Sequence, residues 1–588
     1  MKHIRWIFAL WPKHRRLLPL LFVLTLMSAT AVTAYPFAIR WIIDKLRAFQ
    51  DAGTPPGKDV ITQLVWALVA IGLFRSISYL YPGTRALINN RIEMDVRERF
   101  FDIILGKGYR FFNKFRTGDL VTRLTRDVAD HPKIAWFACS GIFRAIESTA
   151  KLIFIIGMML AINWRLALMS IIPLPFMVYI FYVVRVQLGK RSRAVQDAIS
   201  RTNDALESCF SGVRILKAYN GEEKQAELFK DLLRGRIGIE MRLMKLWLFL
   251  GSTYTLIGMI GQLIVIIVGG GYVITKVMTL GDFVAFYMYL GLLLQPLTDI
   301  PNLFATSKQA FACVDRLEEV RTTPGGTEGL FKGTLPVSEF ESLELKGVKF
   351  RYEDDHSWVL NGVDFALKAG TKAAVVGQVG CGKSTLIKLV AGMLPPQEGK
   401  VLVNGRPLDE YDIVSYRNLT GYIPQEPVLF SESVKDNVAF GRDIDDKLVW
   451  AALEQGQVAE EVKGFVNGAD QMLGQRGLTV SGGQKQRIAI GRALAGRPSI
   501  LLMDDCTASL DAENEEGFWE MFAGEFPNAA CLIVTHRLAT AKRADIIYVL
   551  DDGRIVGAGT HDELLKTCEA YRNFQTRIEL ETLLQIKN

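Results

Sequence analysis

The sequence lacks the cysteine and histidine patterns of metal-binding or disulfide-stabilised proteins. Its 588 residues include seven cysteines and six histidines, all scattered, with no CxxC pair and no HExxH motif. A small disulfide scaffold is therefore excluded, and reduced, buried thiols are expected. With 49% hydrophobic and 22% charged residues, the chain is also neither disordered nor collagen-like.

The sequence has little net charge, +7 in all, but that value is the sum of two unlike parts. Residues 1–337 carry 42 Lys and Arg against 25 Asp and Glu, or +17, whereas residues 338–588 carry 27 against 37, or −10. Acidic and basic residues alternate within stretches such as 91–99. This alternation is typical of solvated helix faces and argues against a nucleic-acid partner.

Six apolar runs in the first half predict a membrane domain. An even number of spans places both termini on one side, and the excess of Lys and Arg in segments 85–133 and 185–245 makes that side cytoplasmic. We expect these two segments to continue the spans as cytoplasmic helices, in a multi-pass protein of the cell (inner or plasma) membrane. The runs are Leu17–Ile43, Val60–Phe74, Leu152–Asn163, Leu166–Val184, Leu246–Thr275 and Thr279–Thr298.

The pattern changes near residue 320, where Thr322 to Thr327 includes Pro324 and two glycines. Beyond it, short β-rich runs alternate with helical segments, and 375–376 and 500–503 resemble buried parallel strands. The predicted organisation is a six-helix transmembrane domain at 1–317, a linker at 318–337 and an α/β P-loop domain at 338–588.

A phosphate-binding motif follows the strand near 373–376. Its glycines allow backbone N–H groups to surround phosphates at a helix N-terminus, which favours negative charge. Lys383 is expected to neutralise the β- and γ-phosphates, and the Ser384 hydroxyl to bind Mg²⁺. The motif residues are Gly377, Gln378, Gly380, Gly382, Lys383, Ser384 and Thr385.

A second motif is the apolar run Ile500–Met503, which ends in two carboxylates. Asp504 is expected to hold Mg²⁺, and Asp505 lies where a water-activating base is needed. Together the two motifs predict a P-loop nucleoside triphosphatase that uses ATP and Mg²⁺.

The segment Val480 to Arg487 indicates which class of P-loop nucleoside triphosphatase this is, because it resembles the LSGGQ signature of ATP-binding cassette (ABC) transporters. The resemblance implies that Ser481, Gly483 and Gln484 contact nucleotide. Further motifs occur in the family's order: an adenine-stacking aromatic, a Q-loop glutamine that contacts the metal and the reacting water, a D-loop and a switch histidine. They correspond to Tyr352, Gln425, Ser509–Asp511 and His536.

The first half resembles the exporter-type members of the same family. Phe111 to Asn113, followed by Thr117 to Leu120, resembles their first intracellular loop. The resemblance implies a half-transporter for ATP-driven export or lipid flipping, which dimerises with a second half-transporter and sandwiches two ATP molecules. Ser481 and Gly483 would then cap the γ-phosphate bound to the partner's P-loop, and helices near 110–117 and 211–218 would dock near Gln425.

Two departures from the family pattern affect the predicted mechanism. Asp505 stands where Glu is usual, and Gln475 stands where Glu is common. The carboxylate of aspartate lies about 1 Å short of the position that the glutamate carboxylate reaches, and a displacement of this size can lower the rate on the order of 10²-fold. We therefore favour a heterodimer in which this chain's own ATP site hydrolyses slowly. The alternatives are a homodimeric exporter with Asp505 as the active base, or a regulatory ATP-binding subunit.

The transported molecule is not specified by the sequence beyond an amphiphile or membrane lipid. Cations in or near the span ends would suit an anionic amphiphile if they face a cavity. They would have no such role if they extend to the lipid headgroups. These cations are Arg75, Arg85, Arg144, Lys151 and Arg185.

Overall fold

The computed structural model describes residues 2–51, 58–326, 332–352, 357–474, 480–506 and 512–586. The chain divides into two compact units. The first consists of Met1–Phe101 and Val121–Val320, and the second of Asp102–Leu120 and Arg321–Asn588. The predicted domain limits stay predictions, and the structure groups the short segment 102–120 with the second unit.

The first half of the chain is helical. Within the described residues, six helices are long and apolar enough to cross a membrane, so the predicted spans are confirmed in number. The helices are α1 Lys2–Phe8, α2 Leu17–Asp51, α3 Lys58–Ser78, α4 Leu80–Leu105, α5 Tyr109–Lys114, α6 Thr117–Leu124, α7 Arg126–Ala129, α8 Ile134–Trp136, α9 Ile142–Ile162, α10 Trp164–Ile171, α11 Leu174–Ser211, α12 Val213–Ala218, α13 Glu222–Ile264, α14 Gly270–Ile274 and α15 Leu280–Thr322.

The two long basic segments differ in how far they continue the spans. Segment 185–245 is helical except for short breaks at Gly212 and between α12 and α13. Segment 85–133 is not one helix, because α4 ends at Leu105 and the extended Gly108 begins the separate helix α5. The segment therefore continues its span as several shorter helices, α4 to α7. Glycine at 106 and 108 lowers helix propensity at the point where α4 stops.

Polar contacts fix the helices of the first unit to one another at the ends next to the short loops. The Tyr289 hydroxyl of α15 donates to the Thr33 carbonyl of α2 at 2.9 Å. Asp44 of α2 accepts the backbone N–H of Gly281 at 3.0 Å, and Arg40 pairs with Asp282 at 2.7 Å. The single charge that interrupts the first apolar run is thus neutralised by the last span.

The second half forms an α/β domain. Its elements are β1 Ser342–Phe350, β2 Leu360–Lys368, β3 Lys372–Val376, α16 Lys383–Val390, β4 Glu398–Val403, β5 Arg406–Pro407, α17 Ile413–Asn418, β6 Thr420–Ile423, α18 Val434–Ala439, α19 Asp446–Gln455, α20 Ala459–Lys463, α21 Gly482–Leu494, β7 Ile500–Asp504, α22 Ala512–Glu525, β8 Ala530–Val534, α23 Leu538–Ala541, β9 Ile546–Asp551, β10 Arg554–Gly559, α24 His561–Thr567 and α25 Glu569–Ile586.

The larger of its two sheets positions the predicted site. Its strand order is β10-β9-β3-β8-β7-β6, and the pairs from β9 to β6 are parallel. Strands β7 and β8 are buried along their whole length, which confirms the predicted buried strand at 500–503. Because parallel strands end at one edge of a sheet, the segments after β3, β7 and β8 meet there.

Candidate functional site

A cavity of about 1040 Å³ lies at this edge of the sheet. It gathers twelve of the fifteen site residues that the sequence predicts. These twelve are Tyr352, Gly377, Gln378, Gly380, Gly382, Lys383, Ser384, Thr385, Gln425, Asp504, Asp505 and His536.

The loop between β3 and α16 needs glycine at two positions. Gly377 has a φ of +155° and Gly382 a φ of +109°. A Cβ at Gly377 would lie 2.1 Å from the Leu550 carbonyl oxygen, and one at Gly382 would lie 2.8 Å from the Val359 carbonyl oxygen. The loop therefore packs against neighbouring backbone in a way that no larger residue permits.

The Lys383 ammonium lies over its own loop. It donates to the carbonyl oxygens of Gly377 at 2.9 Å and Gln378 at 2.7 Å. This places a positive charge at the centre of a concave backbone surface at the start of α16. Such an arrangement attracts an anion with several oxygens.

Ser384 and Asp504 meet although 120 positions separate them. The Ser384 hydroxyl lies 3.2 Å from Oδ1 of Asp504. Burial raises the pKa of Asp504, while the Ser384 hydroxyl and Lys388 act in the opposite direction. The buried carboxylate, the hydroxyl and the nearby Gln425 amide supply oxygen donors, which suits Mg²⁺ bound jointly by protein and phosphate.

Asp505 and His536 form a close pair at the ends of β7 and β8. Nδ1 of His536 lies 2.6 Å from Oδ2 of Asp505. The Oδ1 atom of Asp505 is buried and, among the described residues, has no hydrogen-bond partner. Asp505 also adopts a φ of +49° and donates its N–H to the Val534 carbonyl at 2.8 Å. One carboxylate oxygen thus remains available for another donor.

Tyr352 lies next to the start of α16. Its hydroxyl is 3.0 Å from the Thr385 hydroxyl, and its ring packs edge-on against Phe350 at 5.1 Å. The phenol is therefore held in place at the cavity, while the Thr385 hydroxyl is engaged with it.

Ser481, Gly483 and Gln484, the remaining three predicted residues, begin helix α21 and do not appear among the described residues that line the cavity. Ser481 accepts from the Gln484 N–H at 3.2 Å, and the Gln484 side chain accepts from the Ser481 N–H at 2.9 Å. This capping box fixes the helix start. The Gln484 amide also donates to Glu461 at 2.7 Å.

A contact that the sequence does not predict joins α5 to α16. The Lys388 ammonium donates to the Tyr109 hydroxyl at 2.9 Å and lies 4.5 Å from the Tyr109 ring centroid. Arg110 of α5 donates to the Arg351 carbonyl at 2.6 Å. Lys388 lies one turn after Ser384 on the same helix face, a spacing that was visible in the sequence, but its partner was not.

Helix α25 also lines the cavity, through Asn573, Phe574 and Arg577. Nothing in the sequence of α25 indicated this. Two predicted features, Gln475 and the D-loop Ser509–Asp511, lie outside the described residues.

Comparisons with known proteins find a family match in each half of the chain. The family profile described as ABC transporter transmembrane region matches residues 18–297, and the profile described as ABC transporter matches 360–508. A probable multidrug resistance ABC transporter ATP-binding/permease protein of Bacillus subtilis is 30% identical over 495 residues, which is 84% of each chain.

Two further similarities extend over nearly the full length. An uncharacterized ABC transporter ATP-binding protein of Bacillus subtilis is 27% identical over 579 residues, which is 97% of each chain. The solved structure of a bacterial Atm1-family ABC exporter with ATP bound covers 96% of this chain and 99% of its own, with a TM-score of 0.76 and 23% identity. That likeness confirms the predicted fold class.

Proposed function

This chain belongs to the ABC transporter family, as an exporter half-transporter whose ATPase activity is coupled to transport, and we propose that it works as one half of a dimer. The observation that carries this proposal is the position of the signature residues. Ser481 and Gly483 begin a well-capped helix but are not among the described residues that line the cavity of their own chain. A second chain would bring an equivalent helix start to this cavity, where its N–H groups favour an anion.

Exposed apolar side chains also support the proposal that this chain binds a partner. Helix α12, at the cytoplasmic turn predicted to dock, has no buried residue. Phe210, Ile215 and Tyr219 around it are strongly exposed. Clustered apolar side chains of this kind mark an interaction surface, which fits docking on a second half-transporter.

The proposed orientation places both termini in the cytoplasm. Its support is the excess of Lys and Arg in segments 85–133 and 185–245, because such residues are retained on the cytoplasmic side. The nucleotide site then faces the compartment that contains ATP, at the cell membrane.

Within the site, we assign roles by position. The loop N–H groups and Lys383 bind the ATP phosphates, and Tyr352 stacks on the adenine ring. Ser384, Asp504 and Gln425 hold Mg²⁺, which when bound neutralises phosphate charge. The Ser384 hydroxyl is already oriented by Asp504 at 3.2 Å, so these residues need little rearrangement to bind the ion.

Asp505 and His536 are proposed as the groups that position and activate the attacking water. His536 holds one oxygen of Asp505 at 2.6 Å, and the orphaned Oδ1 is available to accept a proton from that water. Since aspartate is one methylene shorter than the usual glutamate, we propose that hydrolysis here is slow. A heterodimer would compensate for slow hydrolysis at this site, because Ser481 and Gly483 are intact and would complete the partner's ATP site.

ATP turnover by the purified full chain tests this proposal. Slow turnover without a partner, raised by Asp505→Glu, supports a heterodimer with a weakened site. Brisk turnover by the chain alone that collapses in Asp505→Asn would contradict it and favour the homodimer, for which the assembled Asp505–His536 pair is the supporting observation. Turnover that appears only with a partner and is insensitive to Asp505→Asn would indicate a regulatory subunit.

A further inference from the structure

The segment before the first span carries cations but no acidic residue. We call residues 2–16 the basic segment; it consists of helix α1 and the turn that leads into α2. Asp44 is the first Asp or Glu in the sequence, so no acidic residue of the segment itself can neutralise these cations. The cations are Lys2, Arg5, Lys13, Arg15 and Arg16.

One face of the basic segment is fixed to other helices of the first unit. The Trp6 indole N–H donates to Glu318 of α15 at 2.8 Å, and the Trp11 indole N–H donates to the Ala138 carbonyl at 3.0 Å. The Ile7 side chain, next to Trp6, is buried. The basic segment therefore has a defined position, and its remaining side chains are presented to the surroundings.

Most cations of the basic segment lack an acidic partner. Lys13 pairs with Asp95 of α4 at 3.3 Å. The other four cations are exposed, and among the described residues no hydrogen bond or ion pair engages their side chains. The basic segment thus presents unneutralised positive charge to the surroundings. These four are Lys2, Arg5, Arg15 and Arg16.

Apolar side chains lie beside these cations. Ile4 and Phe8 are 48% and 43% exposed. They lie one turn apart on α1 and therefore share a face, and Arg5 directly follows Ile4. A helix that exposes apolar side chains next to cations suits the boundary between lipid headgroups and acyl chains.

The length of α2 places the end of the basic segment at a headgroup layer. At the other end of the span, Asp44 accepts the Gly281 N–H at 3.0 Å. Asp44 lies about 40 Å along α2 from Leu17, at a rise of about 1.5 Å per residue, and a bilayer with both headgroup layers is about 40–45 Å thick. Because an apolar run fills the distance between these polar ends, Arg15 and Arg16, directly before Leu17, lie at the level of lipid phosphates.

Cations held at a headgroup layer attract acidic lipids. We propose that the basic segment binds acidic phospholipids of the cytoplasmic leaflet, with Arg5, Arg15 and Arg16 at the lipid phosphates and with Ile4 and Phe8 among the acyl chains. The choice of leaflet rests on the proposed orientation. A zwitterionic lipid offers the same phosphate but adds a cationic group that the arginines repel, so the headgroup charge should decide which lipid binds.

Two lipids with identical acyl chains and different headgroup charge test the proposal. Binding of fluorescent phosphatidylglycerol and phosphatidylcholine is measured by anisotropy on the full chain in a neutral detergent, without ATP. We expect phosphatidylglycerol to bind at least about thirtyfold more tightly than phosphatidylcholine. That factor corresponds to about 2 kcal/mol, the contribution of two cations near an acidic lipid surface. Higher salt should reduce the difference, because salt screens exposed charges.

Variants locate the lipid selectivity. The double substitution Arg15→Gln and Arg16→Gln should lower phosphatidylglycerol affinity about thirtyfold, and Arg15→Lys with Arg16→Lys should retain most of it, which excludes misfolding as the cause. Lys224→Gln with Lys230→Gln is a matched control that removes the same charge and should bind like wild type. Both lysines are exposed on α13, at least about 24 Å along that helix before its apolar run begins at Leu246.

Three outcomes would overturn the proposal: equal affinity for the two lipids, wild-type affinity after Arg15→Gln with Arg16→Gln, or an equal loss after Lys224→Gln with Lys230→Gln. Glycerol 3-phosphate serves as a soluble competitor, and we expect no displacement of the lipid at millimolar concentration. Displacement would identify a site for free phosphate and would also overturn the proposal.

Binding in detergent requires neither ATP turnover nor a particular leaflet. A failure of the lipid proposal therefore leaves the proposed export function and orientation intact if ATP-driven uptake persists. Selective lipid binding by a chain that shows no ATP-driven uptake would instead overturn export and leave the lipid surface in place.

Discussion

Replacing Gly377 by alanine tests the geometry of the phosphate loop. The new Cβ would lie 2.1 Å from the Leu550 carbonyl oxygen and 2.9 Å from Sγ of Cys381. Leu550 belongs to β9, which pairs with β10 on one side and β3 on the other. Because that strand is fixed on both sides, the loop must move, and relief of the contact requires a shift of about 1 Å.

The expected loss of catalytic rate in Gly377→Ala follows from that shift. Displacement of catalytic groups by about 1 Å costs on the order of 10²-fold in rate. Gly380 offers a matched control, since it also has a left-handed φ, +88°, but a Cβ there would meet nothing within 4 Å. Gly380→Ala carries only the backbone penalty of about 1–2 kcal/mol, or roughly tenfold.

The assay measures binding of a fluorescent ATP analogue and phosphate release by the full chain in nanodiscs. We expect Gly377→Ala to lose about 10²-fold in turnover with weakened binding, and Gly380→Ala to lose at most about tenfold. Elution as a monodisperse species confirms that each variant is folded. Equal effects of the two substitutions, or normal binding by Gly377→Ala, would refute the assigned loop geometry.

Three further substitutions test separate contacts. Ser384→Ala should raise the Mg²⁺ concentration needed for half-maximal ATPase activity, while ATP binding without Mg²⁺ stays unchanged. Because burial raises and Ser384 lowers the pKa of Asp504, Ser384→Ala should also move the loss of Mg²⁺-dependent activity at falling pH to a higher pH; an unshifted pH profile would contradict this. Tyr109→Phe removes a hydrogen bond to the charged Lys388 but keeps the ring, so we expect a loss of about 1–2 kcal/mol, seen as a Tm lower by a few degrees; an unchanged Tm would contradict the α5–α16 contact. Arg492→Lys should lower the free energy of unfolding by about 2–3 kcal/mol, measured by thermal unfolding, because the guanidinium makes three hydrogen bonds and lies over two aromatic rings. A decrease below about 0.5 kcal/mol would show that the lysine ammonium substitutes for the guanidinium.

Local sequence rules predicted the parts of the molecule that local physics determines. The loop at Gly377–Ser384 depends on backbone freedom and a following helix, and the strand before Asp504 on a continuous apolar run. Both motifs could therefore be located without a structure. The six spans followed in the same way from the length of their apolar runs.

The parts that could not be predicted depend on which helix faces meet. Tyr109 contacts Lys388 across 279 positions, and no periodicity in either segment indicates that pairing. By contrast, Lys151 and Glu147 lie four positions apart on one helix, so the neutralisation of Lys151 was predictable from helical spacing.

ATP-driven uptake of labelled amphiphiles, cationic and neutral, into inside-out vesicles of the native membrane tests the central claim most directly. Wild-type vesicles are compared with vesicles that carry Lys383→Ala, a substitution that removes the ammonium group lying over the phosphate loop. We expect uptake that requires ATP and Mg²⁺ and is abolished by Lys383→Ala. Uptake at the same rate with and without ATP, or unchanged in Lys383→Ala, would contradict an ATP-driven exporter.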